Sequence, residues 1–133
     1  MLKRIDHIGV VVDDLEAGRR FLEGLGFKHS RDLDVPERGL RASFWQCGDA
    51  AIELIEMTDE KANRDRLKGE SGARIEHIAV EVDDLDGTIQ HMRSSGVDFT
   101  SAPSTVGPYT SVWTKPESSD GYQLQLMQRT GSP

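Results

Sequence analysis

Two histidines, one glutamate and one glutamine stand at matching places in a duplicated sequence, and together they make a ligand set for a divalent metal. His7 lies within Arg4-Ile5-Asp6-His7-Ile8-Gly9-Val10-Val11-Val12-Asp13-Asp14-Leu15, which returns as Arg74-Ile75-Glu76-His77-Ile78-Ala79-Val80-Glu81-Val82-Asp83-Asp84-Leu85. The offset is 70; nine of the twelve positions are identical, and Asp6/Glu76 and Gly9/Ala79 are close substitutions, so chance is a poor explanation. A second pair of segments, Ala51-Ile52-Glu53-Leu54-Ile55 and Gln123-Leu124-Gln125-Leu126-Met127, matches at an offset of 72 and makes Glu53 and Gln125 equivalent. Two imidazoles, a carboxylate and an amide oxygen suit an ion of borderline hardness, such as Mn²⁺, Co²⁺, Ni²⁺, Fe²⁺ or Zn²⁺. They leave two positions of an octahedron for water or a bidentate substrate. With a single carboxylate the loaded site keeps a net positive charge, which polarises a carbonyl oxygen. An ionised Glu53 pointing into a cleft would be costly without such a cation.

The elements that must position these groups follow from periodicity. Residues 5–12 alternate with period two, which puts Ile5, His7, Gly9 and Val11 on one sheet face and Asp6, Ile8, Val10 and Val12 on the other. Asp13 or Asp14 then caps a helix carrying Leu15, Phe21, Leu22 and Leu25, and Gly26 closes it. A strand at 27–33, a turn through Val35-Pro36-Glu37-Arg38-Gly39, a strand at 40–47, a Gly48-Asp49 turn and a strand at 50–57 complete a βαβββ unit. Residues 58–72 are charged and lack apolar periodicity, so they read as a connector with at most one short helical turn. The order repeats: a strand at 75–82, a helix over 84–95, strands near 97–99 and 109–114, and a last strand at 121–128. The expected fold is therefore α+β, two tandem βαβββ modules forming a curled mixed sheet around a metal cleft. One domain spans 1–133, with module 1 at about 1–57, a linker at about 58–72 and module 2 at about 73–129. A half of this size buries a core only marginally on its own, so the halves are expected to depend on each other.

Other reactive residue types read as structural. His29 and His91 have no equivalents and are expected at the surface, and the Asp13-Asp14 and Asp83-Asp84 pairs cap helices rather than act as paired catalytic carboxylates. Phe44, Trp45, Tyr109 and Trp113 sit on or beside strands, where packing is the expected role and lining a cleft the alternative. Cys47 is the only cysteine, which rules out an internal disulfide and a thiolate-rich zinc site; it reads as a small buried hydrophobe. The net charge of −7 argues against nucleic acid or an anionic membrane as partner, because both reward a basic face. No apolar run reaches the ~20 residues of a membrane helix and no signal core follows Met1, so a cytoplasmic location is expected. Exposed module edges make a homodimer plausible.

The doubled histidine strand, Ile52-Glu53-Leu54-Ile55 and the closing Gly121-Tyr122-Gln123-Leu124-Gln125-Leu126 resemble the vicinal oxygen chelate superfamily over nearly the whole chain. Val35-Pro36-Glu37-Arg38-Gly39-Leu40-Arg41 and the Lys115-Pro116 turn are similar to its methylmalonyl-CoA epimerase branch. The resemblance implies a divalent metal on His7, Glu53, His77 and Gln125, with Glu37 as a base near the substrate. It also implies a small carbonyl substrate, such as a CoA thioester or a glutathione adduct. Epimerase and glyoxalase relatives generally carry glutamate where Gln125 stands, and an amide cannot take up a proton at neutral pH, leaving Glu37 or Glu53 as a single base. The expected function is a metal-dependent isomerase or lyase that abstracts a proton beside a carbonyl. A non-catalytic binder of small aromatic molecules or drugs is the alternative. An Fe²⁺ dioxygenase using His7, His77 and Glu53 is a third reading.

Overall fold

The computed structural model describes residues 1–130 and contains β1 (Leu2–Val12), α1 (Leu15–Leu25), β2 (Lys28–Val35), β3 (Leu40–Cys47), β4 (Ala50–Met57), α2 (Glu60–Leu67), β5 (Ala73–Val82), α3 (Leu85–Ser94), β6 (Ser104–Val106), β7 (Tyr109–Trp113) and β8 (Leu124–Arg129). Short 3₁₀ turns occupy Pro36–Arg38 and Pro116–Ser118. The fold is α+β, with eight strands and three helices among the described residues. Packing divides the chain into two compact units: His7–Glu76, and Met1–Asp6 together with the chain from His77 onward. In the first, the strands run β2-β3-β4-β1; in the second, β1-β5-β8-β7-β6, β1 contributing its opening residues.

Each unit applies the same construction. In the first, β1 and β4 are parallel with Gly9 opposite Glu53, and β3 is antiparallel to β4 with Phe44 opposite Glu53. Asp14 caps α1 by accepting from the amides of Glu16 and Ala17, and Gly26 ends it with a φ of 104°, a backbone that glycine adopts without a Cβ clash. Leu15 and Leu22 of α1 pack with Val12, Trp45 and Leu54 on one face of the sheet. His7, Gly9, Val11, Ala51, Glu53 and Ile55 are buried on the other face, as strand alternation requires. In the second unit, β5 and β8 are parallel with Ala79 opposite Gln125, and Trp113 of β7 lies opposite Gln125. Leu85 and Ile89 of α3 pack with Val82, Phe99, Val112 and Leu126.

The connector differs from expectation: residues 60–67 form α2, held less by apolar contacts than by buried Asn63. Asn63 Oδ1 accepts from the Met57 amide at 2.9 Å, and its Nδ2 donates to the Val12 carbonyl at 2.9 Å, tying the helix to the ends of β4 and β1. Residues 97–99 make only a single bridge, Phe99 to Thr114, because the Asp98 amide is taken by Ser118 Oγ; β6 forms at 104–106 instead. The last strand starts at Leu124 rather than 121, since the Thr114 and Ser119 hydroxyls, not a neighbouring strand, satisfy the Tyr122 carbonyl. Cys47 is exposed, at the end of β3 beside the Gly48-Asp49 turn and outside the helix-covered core. Among the described residues no helix is long and apolar enough to cross a membrane.

Candidate metal centre

The first unit brings His7 and Glu53 together. Parallel pairing of β1 with β4 sets Gly9 beside Glu53, and the missing side chain at Gly9 leaves room on that face for the carboxylate to approach the histidine two residues earlier. His7 Nε2 lies 3.3 Å from Glu53 Oε1, with both residues buried at 5 and 8% exposure. The His7 ring meets Phe44 edge to face, 5.6 Å between centroids at 85°, so an aromatic cross-strand neighbour of Glu53 fixes the imidazole.

The second unit repeats the device with altered groups. His77 is 3% exposed and meets Trp113 at 4.7 Å and 81°, and Trp113 is the cross-strand neighbour of Gln125. Gln125 is half-buried, and its Nε2 donates to Ser111 Oγ at 3.2 Å, which turns the amide oxygen, its ligand-type atom, away from the serine. The Glu-to-Gln change recurs three residues on. Glu56 accepts from the Leu15 amide at 2.8 Å and Gln128 from the Leu85 amide at 2.8 Å, so each satisfies a first-turn amide of its helix.

His7 and Glu53 in the first unit and His77 in the second are all buried. Their donor chemistry fits a borderline divalent cation: two imidazole nitrogens and a carboxylate oxygen, the set that suits Mn²⁺ through Zn²⁺. Glu37 sits in the 3₁₀ turn between β2 and β3 with its side chain exposed. His29 and His91 are exposed as expected. Trp45 belongs to the core under α1, and its indole donates to buried Ser43 Oγ at 2.9 Å, so it does not line the His7 face. Tyr109 is half-buried and receives a hydrogen bond from Arg129 at 2.7 Å.

Glu81 is a buried carboxylate that the ligand pattern of the repeat does not mark. It shares the buried face of β5 with His77 and Ala79, is 6% exposed, and is held by Arg4 Nε at 3.1 Å and Lys3 Nζ at 3.6 Å. Its signal was present: Glu81 is the one non-conservative difference in the twelve-residue repeat, standing where Val11 does.

Comparison with known proteins bears on this arrangement. Bovine (Bos taurus) mitochondrial methylmalonyl-CoA epimerase is 24% identical over 131 residues, covering 96% of this chain and 75% of the relative. The lactoylglutathione lyase of Haemophilus influenzae is 30% identical over 128 residues, covering 94% and 92%. A variant of Streptomyces coelicolor methylmalonyl-CoA epimerase, solved in complex with 2-nitronate-propionyl-CoA, superposes with a TM-score of 0.84 at 26% identity over the full length of both chains. The profile of the glyoxalase/bleomycin resistance protein/dioxygenase superfamily matches residues 6–113, and the chain, with its duplicated histidine strands and equivalent Glu53 and Gln125, belongs to that superfamily.

Proposed function

We propose that this protein is a divalent-metal-dependent isomerase or lyase that removes a proton from the carbon beside a carbonyl, its metal held by His7, Glu53, His77 and Gln125. The observation that carries the reading is the buried His7–Glu53 pair, repeated as His77 with Gln125 on the equivalent strands. A bound divalent ion would supply electrophilic stabilisation to the charge that develops on a substrate carbonyl oxygen. The protein's own residues do the rest. Phe44 and Trp113 lock the two imidazoles by edge-to-face packing, and Ser111 orients the Gln125 amide. An amide accepts no proton at neutral pH, so proton transfer falls to the carboxylates, Glu53 beside His7 and Glu37 from the exposed turn. The methylmalonyl-CoA epimerase and lactoylglutathione lyase relatives support a CoA thioester or a glutathione adduct as the substrate class. The open sheet edges β2 and β6 are suited to a second copy of the chain, and we place the protein among homodimers.

Two measurements test this. Elemental analysis of the purified protein should find close to one Mn, Co, Ni, Fe or Zn per chain, lost in His77→Ala. The loaded protein should exchange the α-proton of methylmalonyl-CoA, or of the hemithioacetal of methylglyoxal and glutathione, for deuterium. Metal without exchange on either substrate class would refute the proton-abstraction reading.

A further inference from the structure

β2 carries a bulge between His29 and Arg31: His29 is opposite Trp45, Arg31 opposite Phe44, and Asp32 opposite Ser43. Residues two apart on a regular strand face the same way, but the extra residue turns Arg31 onto the opposite face from His29. His29 meets Trp45 in a tilted ring contact on the α1 side, while Arg31 joins the face of Glu53. One row of side chains results, Arg31-Phe44-Glu53, ending at Gly9. The Arg31 guanidinium lies 4.1 Å above the Phe44 ring, the same ring that meets His7. Two strand spacings, roughly 10 Å, separate the Arg31 and Glu53 backbones. In a chain with 23 acidic and 16 basic residues, Arg31 has no carboxylate partner among the described residues: neighbouring Asp32 is committed to Arg19 and His29. In the second unit the neighbour of Trp113 is Thr100, whose amide donates to the Trp113 carbonyl at 2.9 Å, so an uncharged residue stands at the matching place.

We infer that Arg31 is a specificity residue that binds an anionic group, carboxylate or phosphate, on the substrate whose carbonyl end lies at the His7–Glu53 site. This deepens the proposed function and rests on it. A guanidinium stacked on an aromatic ring keeps its N–H edges free for a planar anion, and the stacking fixes it in advance. The substrate class is therefore an anionic carbonyl compound whose charge sits several bonds from the reacting carbon.

Two chelators with the same hydroxamate head test the assignment: butyrohydroxamate, with a neutral tail, and N-hydroxysuccinamate, whose tail ends in a carboxylate. Calorimetric titration of Co²⁺-loaded protein at low salt should show N-hydroxysuccinamate binding about tenfold more tightly, as for a charge-assisted pair at a partly exposed site. Arg31→Met should abolish that preference while leaving Co²⁺ stoichiometry and butyrohydroxamate affinity unchanged, and Arg31→Lys should retain part of it. A carboxylate- and phosphate-tailed pair of longer ligands then distinguishes the two anions. Loaded wild type that ignores tail charge, or Arg31→Met that keeps the preference, overturns the assignment and leaves the metal reading intact. Wild type that takes up no Co²⁺ overturns the metal reading, and this one with it.

Discussion

Replacing Asn63 with alanine should destabilise the protein out of proportion to the size of the change. Asn63 is 6% exposed and uses both ends of its amide, accepting from the Met57 amide and donating to the Val12 carbonyl, each at 2.9 Å. Alanine strands both backbone groups. Each costs about 1–3 kcal/mol when deprived of partner and water, with Met57 at the low end because its site is only partly buried. Alanine's better helix propensity offsets roughly 0.5 kcal/mol within α2. The net expectation is a loss of about 2–4 kcal/mol, or roughly 10 °C in melting temperature for a chain of this size. Urea unfolding gives the free energy directly, and an unchanged slope would show that the denatured state is not responsible. Asn63→Asp adds a second check. It keeps the acceptor for Met57 but sets a carboxylate against the Val12 carbonyl, which raises the carboxyl pKa in the folded state. The protonated form can donate, so the Asp variant should be worse than Ala at neutral pH and recover as pH falls through that raised value. A loss below about 0.5 kcal/mol for Asn63→Ala, or identical pH profiles for the two variants, would refute the bracket.

Two further outcomes follow from the hydrogen-bond geometry. The His29 hydrogen bond, aided by Ser43 and Arg19, holds the Asp32 carboxyl down to about 2 from 3.8. A depressed carboxyl stabilises the fold above its unfolded pKa and loses that contribution as pH falls through the folded one. Wild type should thus exceed Asp32→Asn by about 1 kcal/mol or less at pH 5, because the carboxyl is half exposed, with the gap closing between pH 4 and 2 in acid melts. Ser111→Ala should free the Gln125 amide to rotate and weaken metal binding by roughly tenfold in chelator competition, with little change in melting temperature. Ser111→Thr should restore it, and unchanged affinity in the alanine variant would remove Gln125 from the ligand set.

The duplicated strand and its histidines were legible because period-two alternation is local: knowing that Val11 and Gly9 are buried on one face places His7 there too. The same holds for the helix caps at Asp14 and Asp84, whose carboxylates meet amides two or three residues away. The partnership of Glu53 with His7 was inferred from equivalence alone; its geometry depends on the β1–β4 register, which brings together residues 46 positions apart in the sequence. α2 is longer than the short turn expected within 58–72 because its anchor is one asparagine tied to the ends of β4 and β1, not an apolar stripe. Residues 97–99 misled for the opposite reason. Their apolar pattern suits a strand, but Ser118 claims the backbone first.

By itself the sequence determined the internal repeat, the faces of its histidine strands and which residue types recur at equivalent places, since all three rest on spacing within a few residues and on comparing one half with the other. Only the tertiary structure decided which side chains surround those donors. Phe44 against His7, Trp113 against His77, Ser111 on Gln125 and buried Glu81 on Arg4 all depend on cross-strand register. So does the aim of Arg31, where a single extra residue in β2 selects the sheet face that its charge serves, and no local propensity encodes that choice.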